Sequence, residues 1–232
     1  MVGDKVIELA IEWERIWESR PFENNNGLNC QGAFSLFYFL REMNPKPELV
    51  FEIGTWRGFS TWIIRKALPG VRVVCSDPIL ASRQFLNQDV FQPEYRLSDV
   101  EYTWQDFSNI EVEITGDDRE KVVVFFDDHQ HKIPRIKQAA EKGIKHIIFD
   151  DNVPFEYTHE SLEYIFQQQP DLRDDILSNF HRYDVFPLVF KSDNPKYNKL
   201  KSVFDKKFMH MLPALYESRD VYSWVTKIEL ME

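Results

Sequence analysis

The sequence lacks most features that mark membrane and secreted proteins. Its 232 residues contain no apolar run of transmembrane length and no Asn-x-Ser/Thr glycosylation acceptor. The first residues are acidic and charged, unlike a secretion signal, so we expect a cytoplasmic protein with no membrane partner. Only two cysteines occur, and Cys75 lies in an apolar stretch typical of a buried small residue rather than a redox centre.

Positive charge is outnumbered by negative charge, with 28 Lys and Arg residues against 38 Asp and Glu residues. The formal net charge of −10 disfavours a nucleic-acid partner, because nucleic-acid-binding proteins normally present a basic face. What the chain has in quantity is apolar and aromatic side chains, at 43% and 15% of its residues. This composition predicts one globular α/β domain with a large aromatic core.

The most informative stretch is Val50 to Ser60, where an apolar strand leads into a glycine turn and then a helix. Gly54 and Gly58 remove side chains where the backbone would pass close to a ligand. The turn does not match the dinucleotide pattern Gly-x-Gly-x-x-Gly, and no Gly-Lys-Ser/Thr follows it as in a phosphate-binding loop. The ligand at this turn therefore need not be a phosphate.

The remaining periodicity predicts a doubly wound α/β domain with a mostly parallel seven-stranded sheet and helices on both faces. We predict strands at 49–53, 71–76, 110–114, 122–126, 144–149, 185–190 and 222–230. Helices are predicted at 4–19, 31–43, 59–67, 79–92, 133–142, 159–169 and 196–209.

Acidic residues follow or end the first strands of this predicted sheet. Asp77 comes about twenty residues after the turn, where a carboxylate would accept hydrogen bonds from a ribose diol. Asp117 follows the predicted third strand, where an adenine edge would lie. Each acid alone is better explained as a helix cap or a solvated strand end. Together with Glu52, beside a glycine turn, they favour a nucleoside pocket.

The run Phe51 to Ser60, followed by Asp77 and Asp117, resembles class I S-adenosylmethionine-dependent methyltransferases over roughly residues 25–155. The resemblance implies a Rossmann-like methyltransferase fold with S-adenosylmethionine (SAM) as cofactor. It implies one domain over 1–232: N-terminal helices and a cofactor-covering loop in 1–45, the binding core in 46–155, and the completing helix and strands in 156–232. The implied cofactor contacts are Glu52, Gly54, Thr55, Gly58, Ser60, Asp77 and Asp117.

Two further acidic strand ends predict a metal site. Asp127-Asp128-His129 and Asp150-Asp151-Asn152 end two strands joined by one helix, so they should be neighbours in a parallel sheet. We expect Asp128, Asp151 and Asn152 to project into one crevice, where their oxygens suit Mg²⁺ or another divalent cation. Any one of these acids alone is better read as a solvated strand end, but the set favours a metal.

These strand ends resemble the Asp-His-x-Lys and Asp-Asn patterns of catechol O-methyltransferases. The chain departs at the implied base, because His131 stands where that family has lysine and Lys132 comes one place later. The expected catalytic residues are therefore His131 or Lys132, with Asp128. Similar strand ends in cephalosporin-hydroxylase-like methyltransferases favour a hydroxyl of a sugar or natural product as the acceptor.

The sequence thus predicts a Mg-assisted O-methyltransferase that acts on a small hydroxylated molecule. One alternative is a nicotinamide-dependent oxidoreductase with an unusual turn, and another is a non-catalytic methyltransferase-like interaction module. A basic strip at 196–207 keeps a base-flipping nucleic-acid methyltransferase as a third. The sequence leaves a homodimer open.

Overall fold

The computed structural model describes residues 2–23, 27–78, 95–154, 161–197, 200–222 and 224–231. The helix expected at 79–92 and part of the expected cofactor-covering loop lie outside these ranges. Among the described residues, no helix is both long enough and apolar enough to span a bilayer.

Seven strands form a single sheet in the order β3-β2-β1-β4-β5-β7-β6. Strands β1 to β5 pair in parallel, whereas β7 runs antiparallel to both of its neighbours. The predicted doubly wound, mostly parallel seven-stranded sheet is therefore confirmed. The strands are β1 Leu49–Ile53, β2 Arg72–Ser76, β3 Glu101–Thr103, β4 Val122–Phe126, β5 His146–Phe149, β6 Phe180–Val185 and β7 Thr226–Leu230.

Helices cover both faces of the sheet, as the continuous apolar strands require. In β4, Val123 and Phe125 pack with α1, α2 and α3, while Val124 and Phe126 face the opposite layer with α4 and α5. The helices are α1 Val2–Glu18, α2 Cys30–Glu42, α3 Phe59–Ala67, α4 Lys132–Glu141, α5 Leu162–Gln168, α6 Pro170–Leu177 and α7 Pro213–Glu217.

Four predicted elements differ from the structure. The apolar alternation at 110–114 is not a strand: the segment lies outside the sheet, its apolar side chains pack on the core, and the Ile114 amide bonds Lys142 O at 2.8 Å. The third strand is instead the short β3. The strand expected at 185–190 is also wrong, because β6 ends where it was expected to begin and the following buried residues form a loop.

The helix expected at 196–209 is replaced, in the part that is described, by short 3₁₀ turns at Pro195–Tyr197 and Lys206–Phe208. The helix expected at 159–169 ends at Gln168, because Pro170 begins a second helix.

Gly143 provides a test of the packing between the 110–114 segment and the end of α4. A Cβ there would lie 1.9 Å from the Ile114 carbonyl oxygen, and the residue has φ of +77°. Gly70 has a similar φ of +79°, but no atom lies within 4 Å of the equivalent Cβ position. We expect Gly143→Ala to lower the free energy of unfolding by about 2 kcal/mol more than Gly70→Ala, measured by urea denaturation. Equal losses would show that backbone strain alone matters.

Candidate active site

The candidate site lies at the carboxyl edge of the sheet, where the strand order reverses between β1 and β4. Ile53, the last residue of β1, is aligned with the last residues of β2 and β4, and β4 is aligned with β5 in the same way. Open α/β sheets bind ligands at this edge, next to the reversal. The residues that follow the four strands therefore lie side by side: Gly54, Asp77, Asp127 and Asp150.

The glycine turn is fixed by close packing against the neighbouring strand. Gly54 has φ of +95°, and a Cβ there would lie 2.3 Å from the carbonyl oxygen of Asp127. The backbone that follows β4 therefore already requires a glycine at this position, and the expected contact between Gly54 and a ligand remains a prediction. Gly58 has φ of +84° and begins α3 as its N-cap residue. Both glycines therefore adopt a positive φ, which other residues adopt only at a cost in free energy.

Asp77 lies beside this turn, as the sequence predicted. Its Oδ2 accepts a hydrogen bond of 2.8 Å from the backbone amide of Trp56, and the residue is only 5% exposed. Trp56 itself has φ of +47° and a partly exposed side chain. The carboxylate therefore stabilises a turn conformation that a non-glycine residue rarely adopts.

Glu52 and Ser60 were expected to contact the cofactor, but the structure joins them to each other inside the core. The buried Glu52 carboxylate accepts hydrogen bonds from Ser60 Oγ, from Thr61 Oγ1 at 2.6 Å and from Cys75 Sγ at 2.8 Å. Burial raises the pKa of Glu52, and these hydrogen bonds oppose that rise. Glu52 thus links β1 to α3 and β2. Thr55, also expected at the cofactor, is buried within the turn.

Asp117 does not reach the site. It lies exposed in the 3₁₀ turn Gly116–Lys121, which leads into the start of β4. This position is at the amino edge of the sheet, opposite the glycine turn. Its expected role depended on a strand at 110–114, which does not form.

Asp128 was expected to be a metal ligand and catalytic residue, but it faces α4. Its Oδ2 accepts a hydrogen bond of 2.8 Å from Arg135 Nε, and both side chains are buried. The same guanidinium pairs with Asp106 Oδ2 at 2.7 Å. Arg135 and the Ser108 hydroxyl and amide hold the pKa of Asp106 well below its usual range, against partial burial. Asp128 is therefore part of an ion-paired group that attaches α4 to the sheet.

Asn152, the third expected metal ligand, is fully buried and hydrogen-bonded at both ends of its amide. Its Nδ2 donates to Tyr183 OH at 2.8 Å and to Thr226 Oγ1 at 2.9 Å. Its Oδ1 accepts from the Leu162 amide at 2.8 Å, at the start of α5. The side chain thus connects α5 with β6 and β7, so the expected set of Asp128, Asp151 and Asn152 is not brought together.

A different group converges at the same edge: Asp127, His129 and Asp151 each offer one ligand atom, and these atoms lie within 4.8 Å of one another. His129 Nδ1 lies 3.3 Å from Asp151 Oδ2. Both of these residues have left-handed backbones, with φ of +54° and +53°. Such strain is concentrated at functional sites, where the surrounding structure maintains it.

The surroundings of Asp127 disfavour a negative charge on its carboxyl group. Burial, then Asp150 and Asp151, raise the pKa of Asp127 well above its usual range, while the Lys132 ammonium opposes the rise. Carboxylates that cannot all ionise together are a common arrangement at sites that hold a cation or a proton. Two carboxylates and an imidazole are also chemically suitable ligands for a divalent cation.

The two expected bases lie at the start of α4. His131 precedes the helix and is exposed, whereas Lys132 is 1% exposed, with its Nζ 5.4 Å from the centroid of the Phe149 ring. Lys132 is therefore buried near the acidic group of Asp127, His129 and Asp151, whereas His131 is exposed to solvent. The sequence did not lead us to predict Asp127 as a ligand, although Asp127 immediately follows the last residue of β4. It also did not lead us to predict the pairing of Arg135 with Asp128.

No family model and no curated protein matches this sequence. Among solved structures, it is similar to an SAH-bound methyltransferase of Podospora anserina, at 16% identity and a TM-score of 0.46, over 99% of this chain and 88% of that one. It is also similar to a SAM-bound O-methyltransferase of tomaymycin synthesis from Streptomyces achromogenes, at 14% identity and 0.46, over 98% and 90%. A putative O-methyltransferase from Klebsiella pneumoniae gives 15% identity and 0.48, over 99% and 91%.

The seven-stranded, mostly parallel sheet with helices on both faces, which the resemblance implied, is present in this chain. The strand order of this chain, with a single reversed strand, is that of the Rossmann-like methyltransferase sheet which the resemblance implied.

The ion pair between Asp106 and Arg135 predicts a pH dependence of stability. Because the folded-state pKa of Asp106 is depressed, its contribution is present above the unfolded pKa of about 3.9 and lost as the pH falls. We expect Asp106→Asn to lower the free energy of unfolding by about 1 kcal/mol at pH 7, with the difference shrinking below about pH 4. Urea denaturation at several pH values measures this. Exposed Glu111→Gln is the control, and a loss independent of pH would contradict the ion-pair account.

Proposed function

We propose that this protein is a SAM-dependent methyltransferase that methylates a hydroxyl of a small molecule, such as a sugar or natural product. The observation that carries the proposal is the contact between Gly54 and the backbone of Asp127. This contact supports the proposal because it brings the glycine turn, the proposed SAM site, next to the acidic group of Asp127, His129 and Asp151. A methyl donor on the turn would therefore lie beside the groups that could orient and activate an acceptor hydroxyl.

In this proposal the turn from Gly54 to Gly58 binds the methionine part of SAM, with Thr55 inside the turn. Asp77 accepts hydrogen bonds from the ribose hydroxyls while it keeps the turn in place through the Trp56 amide. Glu52 and Ser60 support the turn from within the core and do not contact the cofactor. Asp117 has no part in binding because it lies at the opposite edge of the sheet.

Asp127, His129 and Asp151 fit a divalent cation, Mg²⁺ or another ion that tolerates one nitrogen ligand. When bound, such an ion lowers the pKa of a hydroxyl and fixes its orientation. The carboxylates of this chain would meanwhile lose the mutual repulsion that raises the pKa of Asp127. Asp128 and Asn152 keep the surrounding helices in place rather than contacting the ion.

When bound, SAM would supply its methyl group to the acceptor oxygen with loss of the bond from that carbon to sulfur, and a base of this chain would take the hydroxyl proton. His131 is the proposed base, since it is exposed at the start of α4 and histidine exchanges protons near neutral pH. Lys132 is the second candidate, because it is buried near Asp127 and its amine, in the neutral form, would accept a proton. Asp128 is committed to Arg135 and is not proposed as a base.

Calorimetry with SAM tests the cofactor site. We expect saturable binding to the wild type, and Asp77→Asn should weaken it about tenfold because a ribose diol loses its charged acceptor. Asp117→Asn is the matched control and should bind SAM like the wild type. Absence of saturable SAM binding at millimolar concentrations would refute the proposal, and binding of NADH instead would favour the oxidoreductase alternative.

Electron paramagnetic resonance of free Mn²⁺ tests the metal group directly, without an acceptor. We expect one site that Asp151→Asn weakens about tenfold or more, because one of two anionic ligands is removed. Asp118→Asn, an exposed acid at the opposite edge, should leave the affinity unchanged. Equal Mn²⁺ affinity in wild type and Asp151→Asn would exclude this group as the metal site. In a separate assay with an acceptor, full methyl transfer in excess chelator would exclude a catalytic role for the ion.

A further inference from the structure

A cavity of about 390 Å³ lies outside the site described above. Its lining combines apolar side chains, Leu188, Tyr197 and Leu200, with the ammonium-bearing Lys191 and Lys201 and two serines. The volume is within the range of small-molecule pockets, and the mixture of an apolar wall with a few polar groups is typical of them.

This cavity is at the carboxyl edge of the sheet, on the side of β5 away from the glycine turn. Thr226, the first residue of β7, is aligned with the last residues of β5 and β6. Leu188 follows the end of β6, so it lies beyond the same edge. Leu188 and Tyr197 also pack in one cluster with Val153, two residues after Asp151. The cavity and the acidic group are therefore neighbours along one edge.

The cavity carries positive charge in an acidic protein. Residues 191–207 contain six lysines and two aspartates, although the whole chain has a net charge of −10. Within the described part of the chain, Lys191 and Lys201 form no ion pair or hydrogen bond through their ammonium groups. The nearby Asp193 and Asp220 are both paired with Arg219. The two lysine charges are thus not neutralised by these acids and remain available to an anion.

The aromatic cluster behind the cavity has unused hydrogen-bond donors. Tyr197 packs against Tyr222, with ring centroids 5.8 Å apart, and Tyr222 packs against Trp224 at 5.3 Å. The Tyr222 hydroxyl and Trp224 Nε1 are buried, and neither has a hydrogen-bond partner among the described residues. Burial also raises the pKa of Tyr222. Unpaired buried donors are costly, so their presence one side chain behind the cavity wall formed by Tyr197 marks this part of the fold as one not optimised for stability alone.

We propose that this cavity binds an anionic group, a carboxylate or a phosphate, attached to an apolar part of the acceptor molecule. The lysines recognise the charge, and Leu188, Tyr197 and Leu200 contact the apolar part. The acceptor role rests on the proposed function, because it requires the hydroxyl of the same molecule to reach Asp127 and Asp151. The substrate class is therefore an acidic hydroxylated compound rather than a neutral sugar.

Titration with three probes, followed by the NMR amide signals of residues 188–202, tests this assignment. Benzoate, phenyl phosphate and the neutral benzamide share a ring and differ in charge. We expect at least one anion to bind about tenfold more tightly than benzamide. The double variant Lys191→Ala/Lys201→Ala should remove this preference. The double variant Lys66→Ala/Lys137→Ala removes two exposed charges elsewhere and should retain it.

The relative affinity of benzoate and phenyl phosphate identifies which anionic group the cavity prefers, and either preference supports the proposal. Equal binding of benzoate, phenyl phosphate and benzamide, or an anion preference that survives in Lys191→Ala/Lys201→Ala, would overturn it. SAM calorimetry on the same samples separates the two proposals. Retained SAM binding without an anion preference would overturn the cavity assignment alone. Anion binding without SAM binding would support an anion cavity but refute the proposed function, and with it the acceptor role.

Discussion

The candidate site depends on one steric contact, between the backbone at Gly54 and the carbonyl of Asp127. The chains that leave the parallel strands β1 and β4 approach so closely here that no side chain fits between them. The contact couples the turn after β1 to the acidic strand end of β4. The hydrogen bond from the Trp56 amide to Asp77 lies at the same edge of the sheet. The geometry of both halves of the site is therefore set by main-chain packing rather than by flexible side chains.

Electrostatics divide the two adjacent aspartates after β4 into different roles. Asp128 faces α4 and is ion-paired with Arg135, which also pairs with Asp106. Asp127 lies near Asp150 and Asp151, and the Lys132 ammonium opposes their repulsion. The buried Arg135 thus anchors α4, and the group around Asp127 keeps an excess of negative side chains. A bound cation would correct that imbalance, which is the physical basis of the proposed metal site.

Sequence reasoning located the centre of the fold closely and its periphery poorly. The bounds of β1, α3 and β4 match the prediction, because the wholly apolar run of β4 and the strand-glycine-helix pattern of β1 and α3 have few alternative structures. The segment 110–114 has the same alternation as a strand but uses it to pack on the core without strand pairing. At the site, the sequence analysis chose the wrong one of two adjacent aspartates to face the crevice. Which of Asp127 and Asp128 faces the crevice depends on the chain path after β4, and Arg135 is seven residues further on.

The buried hydrogen bond from the Cys75 thiol to Glu52 has a consequence for sulfur chemistry. Burial raises the pKa of both thiols, since Cys30 is likewise enclosed and accepts a hydrogen bond from Trp13 Nε1. The folded protein therefore presents almost no thiolate to an alkylating reagent or an oxidant. Cys75 reacts only when β2 separates from α3, so its alkylation rate reports how often the half of the sheet that carries the glycine turn opens.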